Sequence, residues 1–179
     1  MFVFVNGPFG VGKSTTTALL AERLPQALVI NPEAIGHMLW AQLPEALRTE
    51  EFELEPLWPP LTHCMLDQAA RAYERPVIVP MTIARHTVFD RIVRPLHEAG
   101  HHVHHFTLLA PAAVIRARLR ERGEGPDKWG PLSWEGNQVE RCLEALRQPA
   151  FAEHIDTEHR PAAEVADEIL TRTGLQPEA

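Results

Sequence analysis

Eight residues near the start of the chain, Gly7-Pro8-Phe9-Gly10-Val11-Gly12-Lys13-Ser14, have a spacing that can do chemistry. They follow the pattern GxxxxGK[ST], directly after an apolar run and directly before a helical period. Gly7, Gly10 and Gly12 let backbone N–H groups converge on one small volume with no Cβ in the way. Pro8, Phe9 and Val11 complete the cradle, and the helix behind it adds the positive end of its dipole. Such a loop holds phosphate oxygens. Lys13 supplies a compact, mobile ammonium for β- and γ-phosphates, where a guanidinium fork is less suited. Ser14 is placed to ligate Mg²⁺ and Thr15 to touch an α-phosphate, so the expected ligand is ATP with Mg²⁺. The spacing Gly7-x-x-Gly10-x-Gly12 does not fit the dinucleotide fingerprint GxGxxG.

A second cluster is basic: Arg116, Arg118, Arg120 and Arg122. Arg118 and Arg122 are four apart and share a helix face, where a guanidinium could stack on adenine or clamp a transferring phosphoryl group. An ordinary solvated basic face is the competing reading. Arg141, on a later helix, is a third candidate for the clamp. His101, His102, His104 and His105 flank Val103, but alternation along a strand sends them to opposite faces, so the four cannot converge on one metal ion. They read as a strand entrance followed by a buried, hydrogen-bonded pair.

These residues must be held by alternating strands and helices, the signature of a parallel sheet covered on its faces. Strands are expected at Phe2–Val5, Leu28–Ile30, Val77–Pro80, Val103–Leu109 and around Ile155. Helices are expected from about Lys13 to Leu24, Glu33 to Leu43, Leu61 to Tyr73, Val88 to Ala99, Pro111 to Arg122, Gln138 to Leu146 and Ala162 to Thr173. Pro25 stops the first and Gly100 ends the fourth. Glu45–Pro60 is acidic, aromatic and proline-containing, and reads as irregular. Gly123–Asn137 is rich in Gly, Pro and Trp without a period, and reads as a lid.

The 179 residues suit one domain, 1–179, and an apolar content of 45% suits a folded core. A net charge of −7 argues against nucleic acid as the main partner, since phosphate backbones need a basic surface. The run Met1–Val5 is cut short by Asn6 and Gly7, too early for a signal segment, and no stretch approaches the roughly 20 apolar residues of a transmembrane helix. A cytoplasmic location is expected. Cys64 and Cys142 belong to no CxxC pair and read as buried, inert thiols.

Beyond the loop, strings spread along nearly the whole chain resemble a known family. They are Asn6-Gly7-x-Phe9-Gly10-x-Gly12-Lys13, Pro32-Glu33-x-x-Gly36, Pro56-Leu57-Trp58, Val79-Pro80-Met81-Thr82-Ile83, Val103-His104-His105-Phe106-Thr107-Leu108, Arg118-Leu119-Arg120-x-Arg122 and Gln138-x-x-Arg141-Cys142. With Ile155-Asp156-Thr157, the loop and the lid arginines resemble the nucleoside-monophosphate-kinase group; the longer strings resemble the tunicamycin-resistance ATP-binding proteins of bacteria. The resemblance implies a three-layer α/β P-loop fold with a five-stranded parallel sheet, order 2-3-1-4-5, and a lid. It also implies protection against a nucleoside antibiotic. Similar small kinases commonly carry an acid at the end of the third strand, where this chain reads Pro80-Met81-Thr82. They also use a carboxylate after the second strand to position or deprotonate the acceptor hydroxyl. Asn31 cannot do so; Glu33 can, and it is the candidate base. Trp40, Phe52 and Trp58 fall where such kinases build an acceptor pocket, although core packing would also explain them. Three readings follow: phosphoryl transfer to tunicamycin or a similar nucleoside, ATP-dependent sequestration of that ligand without catalysis, or a kinase for an unrelated metabolite.

Overall fold

The computed structural model describes residues 1–122, 133–151 and 153–176. Its centre is β1, Phe2–Asn6, buried along its whole length. Parallel to it on one side lie β3, Val77–Pro80, and then β2, Leu28–Val29; on the other side lie β4, Val103–Leu109, and then β5, His154–Asp156. The order β2-β3-β1-β4-β5 is the one the sequence resemblance implies. Phe2 stands level with both Val77 and Val103, so the three central strands begin in register.

The apolar runs Phe-Val-Phe-Val and Val-Ile-Val are continuous because both faces of the sheet are covered. Alternation divides them. Phe2, Phe4, Val77 and Val79 enter one core with Trp58 and Leu66 of α3, Trp58–Tyr73, and Ile92 and Leu96 of α4, His86–Glu98. Val3, Val5 and Ile78 enter the other, with Leu20 of α1, Lys13–Arg23, Ile115 of α5, Ala112–Glu121, and Ile169 of α7, Ala162–Thr173. The remaining helices, α2, Pro32–Gln42, and α6, Trp134–Leu146, lie near the two cores at the loop end of the sheet. Among the described residues no helix is long and apolar enough to cross a membrane.

Several elements depart from the sequence expectation. α3 begins at Trp58, three residues before Leu61. Pro59 and Pro60 fall in its first turn, where a missing N–H costs nothing because no intrahelical partner exists. The irregular stretch before it contains two 3₁₀ turns, Glu45–Leu47 and Phe52–Leu54. α6 starts at Trp134 and not Gln138: the Ser133 hydroxyl accepts the Gly136 N–H and caps it. The other part of the expected lid, 123–132, lies outside the described residues. Cys64 is exposed and not buried. The buried stripe of α3 runs through Thr62, Leu66, Ala69 and Ala70, and residue 64 falls off it.

Candidate functional site

The loop between β1 and α1 is anchored before it turns. Asn6 is fully buried; its Oδ1 accepts the N–H groups of Gly7 at 2.8 Å and Ile83 at 3.0 Å, and its Nδ2 donates to the Ile83 carbonyl at 2.9 Å. One side chain thus fixes the loop entrance to the chain leaving β3. Sequence reasoning read Asn6 only as the end of the first apolar run, although an amide closing an apolar strand was a usable signal.

Gly12 has φ 112°, and a Cβ there would meet no atom within 4 Å. It faces open cleft, the volume a phosphate group requires. No side chain caps α1, so its first N–H groups also face that volume. Lys13 Nζ donates to the Gly7 and Pro8 carbonyls at 2.8 and 2.9 Å and lies 5.8 Å from the Phe9 ring centroid. Burial lowers its pKa to about 8, with Glu33 and Cys142 opposing the shift and Arg122 adding to it. The loop therefore fits a nucleotide: glycine-lined, N–H-rich, with a desolvated cation and the exposed Ser14 hydroxyl beside it.

Three clefts meet this loop. The first, about 350 Å³, is lined by Gly12, Thr15, Thr16, Arg118, Arg122 and Thr157. The second, about 310 Å³, holds Lys13, Ser14, Asn31, Glu33 and Met81. A third cleft of about 350 Å³ contains Trp40, Phe52 and Trp58 with Phe9, Arg141 and Cys142, and Glu33 lines it too. Glu33 is therefore the carboxylate shared by the lysine cleft and the aromatic one. Its position is set locally: Asn31 Oδ1 accepts the Glu33 N–H at 2.9 Å and caps α2, with Pro32 at the first turn.

The three candidate arginines occupy different environments. Arg118 donates to the carbonyls of Val11 at 3.0 Å and Thr157 at 2.6 Å, and to Thr157 Oγ1 at 3.2 Å. Thr157 itself donates toward Val11 and Leu109 carbonyls, so α5, the loop and the end of β5 are tied at one point. Arg122, one helical turn on, is exposed at the end of α5 and has no carboxylate partner among the described residues. Arg141 donates to Glu51 at 2.6 Å and lines the aromatic cleft.

The aromatic cleft is built on α2 and the strap of residues 50–53. Trp40 and Phe52 rings lie 4.2 Å apart, Phe52 and Trp58 6.3 Å apart, and His37 meets Phe52 edge-on. Trp58 Nε1 donates to the Pro32 carbonyl at 2.8 Å, fixing α3 against the start of α2. Glu53 pins the strap by accepting the N–H groups of Ala84 at 2.6 Å and Arg85 at 3.0 Å. Burial raises its pKa, and these two bonds pull it back down. Sequence reasoning missed Glu53, because its partners are 31 and 32 residues away.

The histidines divide between environments. His101 bonds Asp67 at 2.8 Å, the half-buried His104 stacks on Phe106, and His105 packs on Phe89 and Phe151. Both side chains are half-buried where the sequence reading expected burial, and they point to opposite faces of the sheet, with His105 Nε2 3.3 Å from Thr107 Oγ1.

A protein-family model described as an AAA domain matches residues 2–149. Among solved structures, a Deinococcus radiodurans tunicamycin resistance protein matches at 33% identity and TM-score 0.80, over 99% of this chain and 98% of that one. A sugar kinase from a Janibacter species matches at 22% identity and TM-score 0.67, over 98% and 95% of the two chains. An Acinetobacter baumannii shikimate kinase in complex with shikimate matches at 19% identity and TM-score 0.59, over 96% and 92%. These last two share the fold. No curated protein matches the chain significantly.

Proposed function

The chain belongs to the AAA-domain family of P-loop proteins, in the group of the bacterial tunicamycin resistance protein, and from that premise we propose that it transfers a phosphoryl group from ATP to tunicamycin or a similar nucleoside, so conferring resistance. One observation carries this reading: Glu33 lines both the cleft of Lys13 and Ser14 and the aromatic cleft. A base for an acceptor hydroxyl has to stand at that junction.

Gly7–Thr15 would hold the triphosphate, with Lys13 on the β- and γ-phosphates and Ser14 as a ligand of Mg²⁺. Mg²⁺, held there by Ser14, would supply positive charge against the charge that develops in transfer. Trp40, Phe52 and Trp58 orient the acceptor ring. The acceptor oxygen attacks the γ-phosphorus as the bond to the β–γ bridging oxygen breaks; ADP leaves and the hydroxyl proton goes to Glu33. Arg122, which has no carboxylate partner among the described residues, is the arginine best placed to stabilise that charge. Most of the acceleration comes from positioning and charge neutralisation.

The test incubates the protein with ATP, Mg²⁺ and tunicamycin and looks for a mass gain of one phosphoryl group on the drug. Glu33→Gln should bind both ligands as the wild type does and lose activity by about 10²–10⁴-fold. A second reading, ATP-dependent sequestration without chemistry, is favoured by the absence of a carboxylate at Pro80-Met81-Thr82, the end of β3. No mass gain, together with full protection of cells by Glu33→Gln at matched expression, selects sequestration.

A further inference from the structure

The aromatic cleft carries a charge pattern that limits what can enter it. Its lining includes four glutamates, Glu33, Glu50, Glu51 and Glu53, against one arginine, Arg141. That arginine is already neutralised by Glu51 at 2.6 Å. The nearby Arg85 is also engaged, lying 3.5 Å from both Glu51 and Glu53. An anionic ligand would have to take Arg141 away from Glu51 and sit among carboxylates, and each like-charge contact raises its free energy.

The neutral features of the cleft are better served. Trp40 and Phe52 pack against each other, ring centroids 4.2 Å apart, and together line the cleft with an aromatic wall. The Trp40 Nε1 donor and the Thr82 hydroxyl belong to lining residues, are buried, and have no hydrogen-bond partner among the described residues. A buried donor left without a partner costs free energy, and a ring carbonyl or hydroxyl entering the cleft can remove that cost.

Resting on the acceptor reading above, we infer that this cleft selects an uncharged, ring-bearing, hydroxyl-bearing molecule and rejects the same molecule once it carries a phosphate or carboxylate. The selection is made by the glutamates of the strap, with Glu51 holding Arg141 out of reach of an anion. The occupant is a nucleoside and not a nucleotide, and the phosphorylated product is expelled by the same field.

Uridine and uridine 5′-monophosphate test this, since they share ring and ribose and differ in one phosphate. Both are titrated by calorimetry into full-length protein saturated with ADP and Mg²⁺, so that the glycine loop is occupied and cannot hold the monophosphate. Uridine should bind at least about tenfold more tightly than the monophosphate. In Glu51→Gln, which frees Arg141, monophosphate affinity should rise by about tenfold while that for uridine changes less than about twofold. Monophosphate binding as tight as uridine in the wild type overturns the inference and leaves the acceptor reading in place. An unchanged preference in Glu51→Gln overturns the role given to the strap. If ADP binds but neither probe does, the acceptor reading of the cleft fails, and the inference with it.

Discussion

Lys13 shows how one residue reports on ligand charge. Its ammonium is held at a pKa of about 8 because burial disfavours the charge, with Glu33 the largest opposing influence. The cost of carrying that charge in the fold is fully present below about pH 8 and lifts as pH rises toward the usual lysine value. Nucleotide phosphates favour the ammonium, so binding raises its pKa and the protein takes up a proton. ATP affinity should therefore fall as pH rises through about 8, and calorimetry at about pH 8.5 in buffers of different ionisation enthalpy should show proton uptake. In Lys13→Ala the uptake should vanish and ATP affinity drop, with the fold intact; unchanged affinity would refute the site. The arginines divide by the same logic. Arg118→Ala removes charge-assisted bonds to Val11 and Thr157 and should lower stability by about 1–3 kcal/mol and weaken ATP binding. Arg122→Ala should spare stability and ATP binding and lower kcat, a split that denaturant melts and steady-state kinetics would resolve.

At the level of elements, the aromatic cleft depends on how closely α2 approaches the strap. Gly36 sits in α2, and an added Cβ there would lie 2.4 Å from Phe52 Cδ1 and 2.6 Å from Cγ. Gly36→Ala therefore displaces the Phe52 ring from Trp40. Overpacking of this kind costs about 1–3 kcal/mol, partly offset by the better helix propensity of alanine. The expected result is a loss of acceptor binding with ATP affinity unchanged, because the three atoms nearest the added Cβ all belong to the Phe52 ring. Equal acceptor affinity in calorimetry would show that the strap yields without consequence.

Across the whole molecule, the end of the sheet opposite the loop is held by a separate polar clamp. Asp67 on α3 accepts from Arg71 Nε at 2.9 Å and bonds His101, just before β4, at 2.8 Å. The Arg71 and His101 bonds, in that order, hold its pKa down at about 2. A depressed carboxyl contributes stability above its unfolded value, near 3.8, that is lost as pH falls toward about 2. Asp67→Asn should remove that part of the acid limb in chemical denaturation between about pH 4 and 2. ATP binding at neutral pH should be unchanged, since the clamp lies at the far end of the strands.

The sequence by itself determined the loop and the alternation of elements, because each rests on local pattern: a glycine spacing, apolar runs of strand length, and helical periods ended by Pro25 and Gly100; the sheet order came from the family resemblance and matches the structure. It also placed Glu33 after β2 and the three aromatics between β2 and β3. Only the tertiary structure decided which of these residues share a cleft. Arg118, Arg122 and Arg141 read alike along the chain, yet one binds loop backbone, one faces a cleft without a carboxylate partner among the described residues, and one pairs with Glu51, 90 residues away. Glu53 went unread, and Asn6 was read only as the end of the first apolar run, for the same reason. Their work is done on N–H groups 77 and 31 residues distant, and spacing along a chain carries no information about contacts that only packing of the sheet and its helices creates.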